Sequence, residues 1–324
     1  MQPLETPPRF VLVNAANTHG ALDFGSAFQV FDTRGAPTSK RVEKADRFRV
    51  IVHADSLLVG GFEMRWDGSP GTFSIDLVNP PFAPESAIQV RHAYVIAAYQ
   101  TGGARTVPYE SFQVDVSDFY LPERWKTRLR WTRSHAGLGA AAIHDDGQVA
   151  VVTESGQFFR YSLDRKPNTT EPAHTVESKL SFEPYDLSIL DSGYAVLSRA
   201  DSGTVLHRLD PNGKELWRVA IPFEATQPPV DGGKGRVYVA GKGFAAVEDG
   251  KLLYAHPGDQ QWATAFEDGT VALAIGPELR IIDRDGTIRQ SLRTKDGERL
   301  TTPPAIASDG TIWVGSETTL YHAR

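Results

Sequence analysis

The segment TTPPAIASDGTIWVGSETTLYHAR occupies residues 301–324. A short apolar stretch leads into an Asp309-Gly310 turn. The β-rich run Thr311-Ile312-Trp313-Val314-Gly315 follows, then a second small turn and another strand-like run. The same order recurs upstream, with corresponding turn glycines at Gly147, Gly193, Gly235 and Gly269. The steps between the five glycines are 46, 42, 34 and 41 residues. Short strands repeating at that period predict a β-propeller. Propellers host many unrelated activities, so the pattern speaks to fold more than to function.

Each repeat reads as up to four strands. Second strands are clearest, at 149–153, 194–198, 236–240, 270–275 and 311–315, rich in Val, Ile, Tyr and Trp and bounded by Gly or Asp. Innermost strands are expected at 139–143, 185–190, 228–230, 263–266 and 304–307. Outer strands are expected at 174–178, 215–221, 251–256 and 287–292. Asn212-Gly213, Asp249-Gly250 and Asp285-Gly286 fall between third and outer strands, where dipeptides that reach positive φ cheaply make hairpins.

The last repeat stops at Arg324, after its third strand. An unpaired edge there exposes backbone groups. The alternating run Trp125-Lys-Thr-Arg-Leu-Arg-Trp131 is expected to complete that blade, so that 124–133 closes a five-bladed ring with strands from both ends. A helix is the competing reading, since Leu121, Trp125 and Leu129 fall at i, i+4 and i+8. Upstream, 10–13, 27–31, 47–52, 61–65, 72–77, 93–98 and 112–116 read as seven short strands. That count suggests an immunoglobulin-like β-sandwich over 9–118, with a jelly roll or small barrel as alternatives. The propeller is then expected over 119–324, and the Pro-rich residues 1–8 form a flexible leader.

The chain has 324 residues, 23% of them charged, and a net charge of −6. That balance argues against a nucleic-acid partner. With no cysteine, disulfides, thiolate metal sites and Cys nucleophiles are excluded. Such a composition suits an exported protein or a bacterial one. The N-terminus has neither a basic n-region nor an apolar h-region, and no 18-residue apolar run occurs. The expectation is therefore a protein without a membrane span, cytoplasmic as written or extracytoplasmic if a signal has been removed.

Three segments resemble the repeat of PQQ-like (quinoprotein-type) β-propellers. They are Thr302–Gly315, Thr226-Gln-Pro-Pro-Val230 with Arg236-Val-Tyr-Val-Ala-Gly241, and Asp210-Pro-Asn-Gly-Lys-Glu-Leu-Trp217. The resemblance covers about residues 124–324. It implies inter-blade packing of the repeat Trp. The family's alcohol dehydrogenases carry a quinone and calcium on eight blades. This chain has fewer repeats and no matching ligands, so the resemblance implies the non-catalytic scaffold members and no cofactor.

Candidate chemistry is sparse. Asp283-Arg-Asp285-Gly286 has the look of a calcium loop's start, but a hairpin turn accounts for it and no later ligand follows. His144-Asp145-Asp146 and His53-Ala54-Asp55 set imidazole near carboxylate without a marked nucleophile. Asp186, Asp231 and Glu267 are the acids nearest to innermost strands, where a glycosidase would hold its pair. Arg124, Lys126, Arg128, Arg130 and Arg133 interleave with Trp125 and Trp131 as in single-strand binders, but an outer strand with one charged face explains them as well.

The reading that follows assigns no catalytic or metal residue. It is a non-enzymatic protein-binding or assembly scaffold using propeller-face loops at 165–172, 222–227 and 258–262. Trp262, Gln260, Tyr109 and Tyr120 are the candidate contacts, as loop-borne aromatics and their neighbour. A carbohydrate-binding or glycoside-hydrolysing propeller is the alternative.

Overall fold

Val149-Ala-Val-Val-Thr153 is a strand in which every residue is buried. Arg236–Gly241 and Ile312–Gly315 show the same uninterrupted burial. Antiparallel strands alternate when one face meets water. Continuous burial therefore means that these strands lie inside their sheets, with other protein against both faces. The computed structural model describes residues 148–323 except 163, 165, 170, 308 and 318, together with the upstream strands named below.

The described strands form eight antiparallel sheets, each in sequential order. The first holds β1 to β4 (Phe10–Val13, His19–Asp23, Ala27–Asp32, Val42–Glu43) and the second β5 to β8 (Val50–His53, Ser56–Val59, Phe62–Arg65, Pro70–Ser74). The third holds β9 to β12 (Ala87–Arg91, Tyr94–Thr101, Ser111–Tyr120, Lys126–Ala136). The fourth comprises β13 to β16 (Gly139–Ile143, Val149–Thr153, Gln157–Tyr161, Thr175–Lys179). The fifth comprises β17 to β20 (Pro184–Leu190, Gly193–Ala200, Gly203–Leu209, Glu215–Ile221). The sixth is β21 to β24 (Val230–Asp231, Arg236–Gly241, Gly243–Glu248, Lys251–Pro257), and the seventh β25 to β28 (Gln261–Ala265, Val271–Ile275, Glu278–Ile282, Ile288–Arg293). The eighth has three strands, β29 to β31 (Ala305–Ile306, Ile312–Gly315, Leu320–Ala323). The protein is thus all-β, built of four-stranded antiparallel sheets like those of a propeller.

The chain divides into two compact units. One comprises residues 1–74, 240–244 and 258–324, the other 75–239 and 245–257. Within the second unit, Ala195, Leu197 and Leu206 of the fifth sheet pack with Val237, Val239 and Val247 of the sixth. Val152 and Phe158 of the fourth pack with Leu187 and Val196 of the fifth. Within the first unit, Ala272 and Ile281 pack with Ile312 and Val314. Burial of these side chains on both sheet faces supplies the main driving force, about 1.5–3 kcal/mol for each large apolar residue.

The turns repeat one device. In Asp268-Gly269-Thr270, Asp285-Gly286-Thr287 and Asp309-Gly310-Thr311 the Asp Oδ1 accepts from the Thr amide at 2.8, 2.9 and 3.0 Å. The glycine stands at positive φ and its amide donates back to the residue that opens the turn. The side chain of Asp285 is thereby engaged within its own hairpin, and Asp283 pairs with Arg289. These bonds are those of a turn.

Several expectations need correction. The described strands between residues 10 and 136 number twelve, in three sequential meanders, where seven with the Greek-key crossings of an immunoglobulin-like sandwich are expected. Short strands such as β2 and β9 carry too little alternation to be read in advance. The described part of the basic run, from residue 126 on, is a strand and not a helix. However, β12 pairs with β11, from Ser111↔Ala136 to Tyr120↔Lys126, and does not complete the eighth sheet. Its register is fixed by β11, which continues unbroken across the boundary expected at 118/119. The sheet at the C-terminal end instead has β1 beside β29 and β30, within the first unit. Among the described residues no sheet is closed by strands from both ends, and three sheets precede the five that carry the repeats. The leader at 1–8 lies outside the described residues.

Candidate interaction surface and a buried polar network

The second unit holds a buried polar network that the linear sequence hides. Ser198 on β18 pairs with Val205 on β19, and His207 lies two residues further along the same face. The Ser198 hydroxyl is 2.7 Å from His207 Nε2, and His207 Nδ1 is 2.9 Å from Glu215 Oε2 on β20. An ionised carboxylate only accepts, so Nδ1 carries the proton and Nε2 accepts from Ser198. The Phe182 ring stacks on the imidazole, with centroids 3.5 Å apart and planes 10° from parallel.

Ser198 is 4% exposed and His207 2%. Burial holds the His207 pKa below its ordinary value, against the opposing hydrogen bond and charge of Glu215. A hydroxyl, imidazole and carboxylate in this order are the parts of a nucleophilic triad, but a nucleophile must meet substrate. Here the serine is sealed and the imidazole face is covered by Phe182. The network ties three neighbouring strands together and satisfies every polar group it buries.

Other buried polar side chains are bonded in part, with Arg208 Nη1 and Arg236 Nη1 left without a hydrogen-bond partner. His135 on β12 lies 3.3 Å from the Tyr161 hydroxyl and close to Phe159. Burial, with Arg133 nearby, lowers its pKa to about 4. Arg236 pairs with Glu248 through Nε and Nη2, both on Oε2. Arg208 Nη2 donates to the Ser192 carbonyl and hydroxyl at 2.9 Å.

The surface has a different character. The large apolar side chains exposed among the described residues are Leu216 (56%), Leu252 (40%), Leu253 (46%) and Ile288 (51%). All four stand on the fourth strands of their sheets, β20, β24 and β28. In the second unit β20 lies beside β24. Trp217 rests against Gly250, where an added Cβ would come within 3.1 Å of the indole Cγ. Leu216 is adjacent to that Trp, and Leu252 follows two residues after that glycine.

The sequence-selected contacts fall elsewhere. Trp262 on β25 is half-buried and packs against the cluster of Ala272, Leu279 and Val314. The Gln260 amide donates to the Gln261 carbonyl at 3.2 Å. Tyr109 lies outside the described residues, and of Tyr120 only its backbone place at the end of β11 is described. His144, Asp145 and Asp146 are also outside them. Asp186 Oδ1 accepts from the Leu187 amide and Asp231 Oδ1 from that of Gly233, so these acids serve their own backbone. Glu267 is exposed at a turn. No cluster of three His, Cys, Asp or Glu residues suited to a metal occurs among the described residues. No helix among them is long and apolar enough to cross a membrane.

No protein-family model matches the sequence, and no curated protein matches it. Solved structures do match in fold. Hsv2 of Kluyvelomyces marxianus aligns with a TM-score of 0.56 at 10% identity, over 90% of this chain and 100% of that one. The WD40 domain of Toxoplasma gondii coronin aligns at 0.51 and 11% identity, over 73% of this chain and 70% of that one. The WD40 β-propeller domain of Doa1 gives 0.45 at 10% identity, covering 74% and 92%.

At such identities the likeness is one of fold. It overturns the resemblance to PQQ-like repeats, since the coronin domain that this fold is similar to is a WD40 domain. The physical reason lies in the residues that carried the resemblance. Asp-Gly-Thr turns and Pro-led strands are what any four-stranded meander needs, and they encode hairpins rather than a family.

Proposed function

We propose that the protein is a non-enzymatic interaction scaffold that binds a protein partner through the outer strands of its sheets and the loops beside them. The observation that supports this most is the placement of Leu216, Leu252, Leu253 and Ile288. Single exposed leucines are common. Four on the outermost strands, with no other exposed large apolar residue described, concentrate apolar area where a partner has access. The fold similarity to a WD40 domain is compatible with this role.

The loops add a second, more polar element. In the loop between β15 and β16, Lys166 bonds Glu171, and Arg133 reaches the same carboxylate at 3.4 Å. The test is cross-linking of the tagged protein in its native host, wild type against a Leu216→Asp/Leu253→Asp variant. The reading expects a discrete cross-linked partner that the variant loses. Identical cross-links from a folded variant would refute it.

A further inference from the structure

Arg133 and His135 stand two residues apart on β12 and so share one face of the third sheet. Both reach the fourth sheet. His135 is 7% exposed, with its ring 4.5 Å from that of Phe159 and 5.9 Å from that of Tyr161 on β15. Its Nε2 lies 3.3 Å from the Tyr161 hydroxyl. Arg133 meets Glu171, in the loop between β15 and β16, at 3.4 Å. We infer that this seam is an acid-operated joint: uptake of a proton by His135 parts β12 from the face of β15, while the fourth sheet stays closed against the fifth.

The surroundings of the imidazole make it the sensitive element. From its own strand the charged neighbour is Arg133. From the β15–β16 loop come Glu171 and its partner Lys166, and β16 sets Glu177 beside Phe159. These charges roughly cancel, so burial is the main obstacle to a proton on the ring, with Arg133 adding to it. Burial pushes the Tyr161 hydroxyl up, so it stays neutral. Lys166 and Arg133 hold Glu171 below the ordinary carboxylate range, so their contact outlasts mild acid. Register sets Ser111, Phe112 and Gln113 of β11 beside 134–136, and Val149 and Val151 of β14 beside Tyr161 and Phe159, and none of these titrates. An imidazolium held between two rings lacks water, and parting the seam supplies it.

The other face of the fourth sheet is built differently. Ala150, Val152 and Phe158 pack there with Leu187, Tyr194 and Val196 of the fifth. None of these takes up a proton in mild acid. Phe182 also joins that cluster and stacks on His207, which makes His207 the comparison for His135.

The chain has no cysteine of its own, so single cysteines report the two faces. Val151 pairs with Phe159 and shares its face, whereas Val152 pairs with Phe158 on the opposite one, and both are fully buried. The experiment labels Val151→Cys and Val152→Cys in the full-length protein with dithiodipyridine. Each rate is divided by that of Ser202→Cys, at an exposed turn, at the same pH. Between pH 7.5 and 5 the Val151→Cys rate rises about 25-fold, as follows for an imidazole titrating at about 4 when closed and 6.5 when open. At pH 5 it exceeds the Val152→Cys rate at least about tenfold, the mark of local opening. His135→Phe keeps a ring in the seam but takes no proton, and it abolishes the rise. His207→Gln leaves the rise in place. Equal rates at the two cysteines at pH 5 mean that only global unfolding exposes them and overturn the inference. A rise that persists in His135→Phe, or no rise with His135 present, overturns it too. If His135→Phe does not fold, His135→Gln is read in the same way.

Discussion

Ser198 and His207 sit nine residues apart in the chain and 2.7 Å apart in space, both sealed from water. Their bond depends on the β18–β19 hairpin register, and Glu215 completes it from the next strand. Removing the imidazole leaves Ser198 buried without its acceptor and a hollow beneath Phe182. His207→Ala is expected to cost about 3 kcal/mol in urea unfolding, and His207→Gln distinctly less. Equal, small losses for the two would mean that the network carries little stability.

The same burial sets a pH dependence. His207 and His135 both have pKa values lowered in the folded state, His135 to about 4, against 6.5 for an ordinary histidine. The unfolded chain then binds more protons than the folded one below about 6.5. Stability is full above that value and falls as pH drops toward about 4. Asp231, raised by burial, works in the opposite direction at the acidic end, where its protonation favours the fold. Urea midpoints measured from pH 7.5 to 4 check this, and His207→Gln is expected to flatten the slope.

Two glycines separate strain from crowding. Gly213 and Gly310 both stand at positive φ, 79° and 83°. A Cβ on Gly213 would collide with Phe158 and Ser178, whereas one on Gly310 would meet nothing within 4 Å. Gly310→Ala is expected to cost about 1 kcal/mol, the price of the backbone alone. Gly213→Ala is expected to cost about 3 kcal/mol or more, because the neighbouring sheet must also shift. Thermal unfolding of the pair gives the comparison directly.

Trp262 offers a fourth test. It packs against a core cluster while remaining half-exposed. Trp262→Ala is expected to lower stability by about 2 kcal/mol whatever it does to binding. A variant of wild-type stability would return this residue to the interaction surface.

Much of the β-architecture from residue 139 onward is legible because each repeat ends in a turn with strict backbone demands. Gly213, Gly250, Gly269, Gly286 and Gly310 all adopt the positive φ that their dipeptides announce. Residues 10–136 are less legible, since strands of two to five residues such as β4 and β7 leave almost no alternation to count. The pairing of Lys126–Ala136 escapes a sequence reading because strand character does not specify a neighbour. Only the register with Ser111–Tyr120 does. The polar network is hidden for a related reason. Its three members are ordinary residue types at spacings of nine and eight, and they meet only once the hairpin and the bulge between Arg208 and Leu209 are known. The exposed leucines are visible in the sequence but their exposure is not, since it depends on which strand ends each sheet.

The meeting of β1 with β29 and β30 carries a kinetic consequence. The earliest strands of the chain find their neighbours among the latest to be synthesised. Most of the second unit lies within one continuous segment, 75–239, and is able to collapse while translation continues. The first unit gathers residues 1–74 with 258–324, so it is not complete until residues 258–324 have been made. Contacts between strands so far apart in the chain slow folding and leave strand edges open to wrong partners. Deleting β29 to β31 is thus expected to harm Phe10–Val13, at the opposite end of the chain, more than it harms residues 75–239.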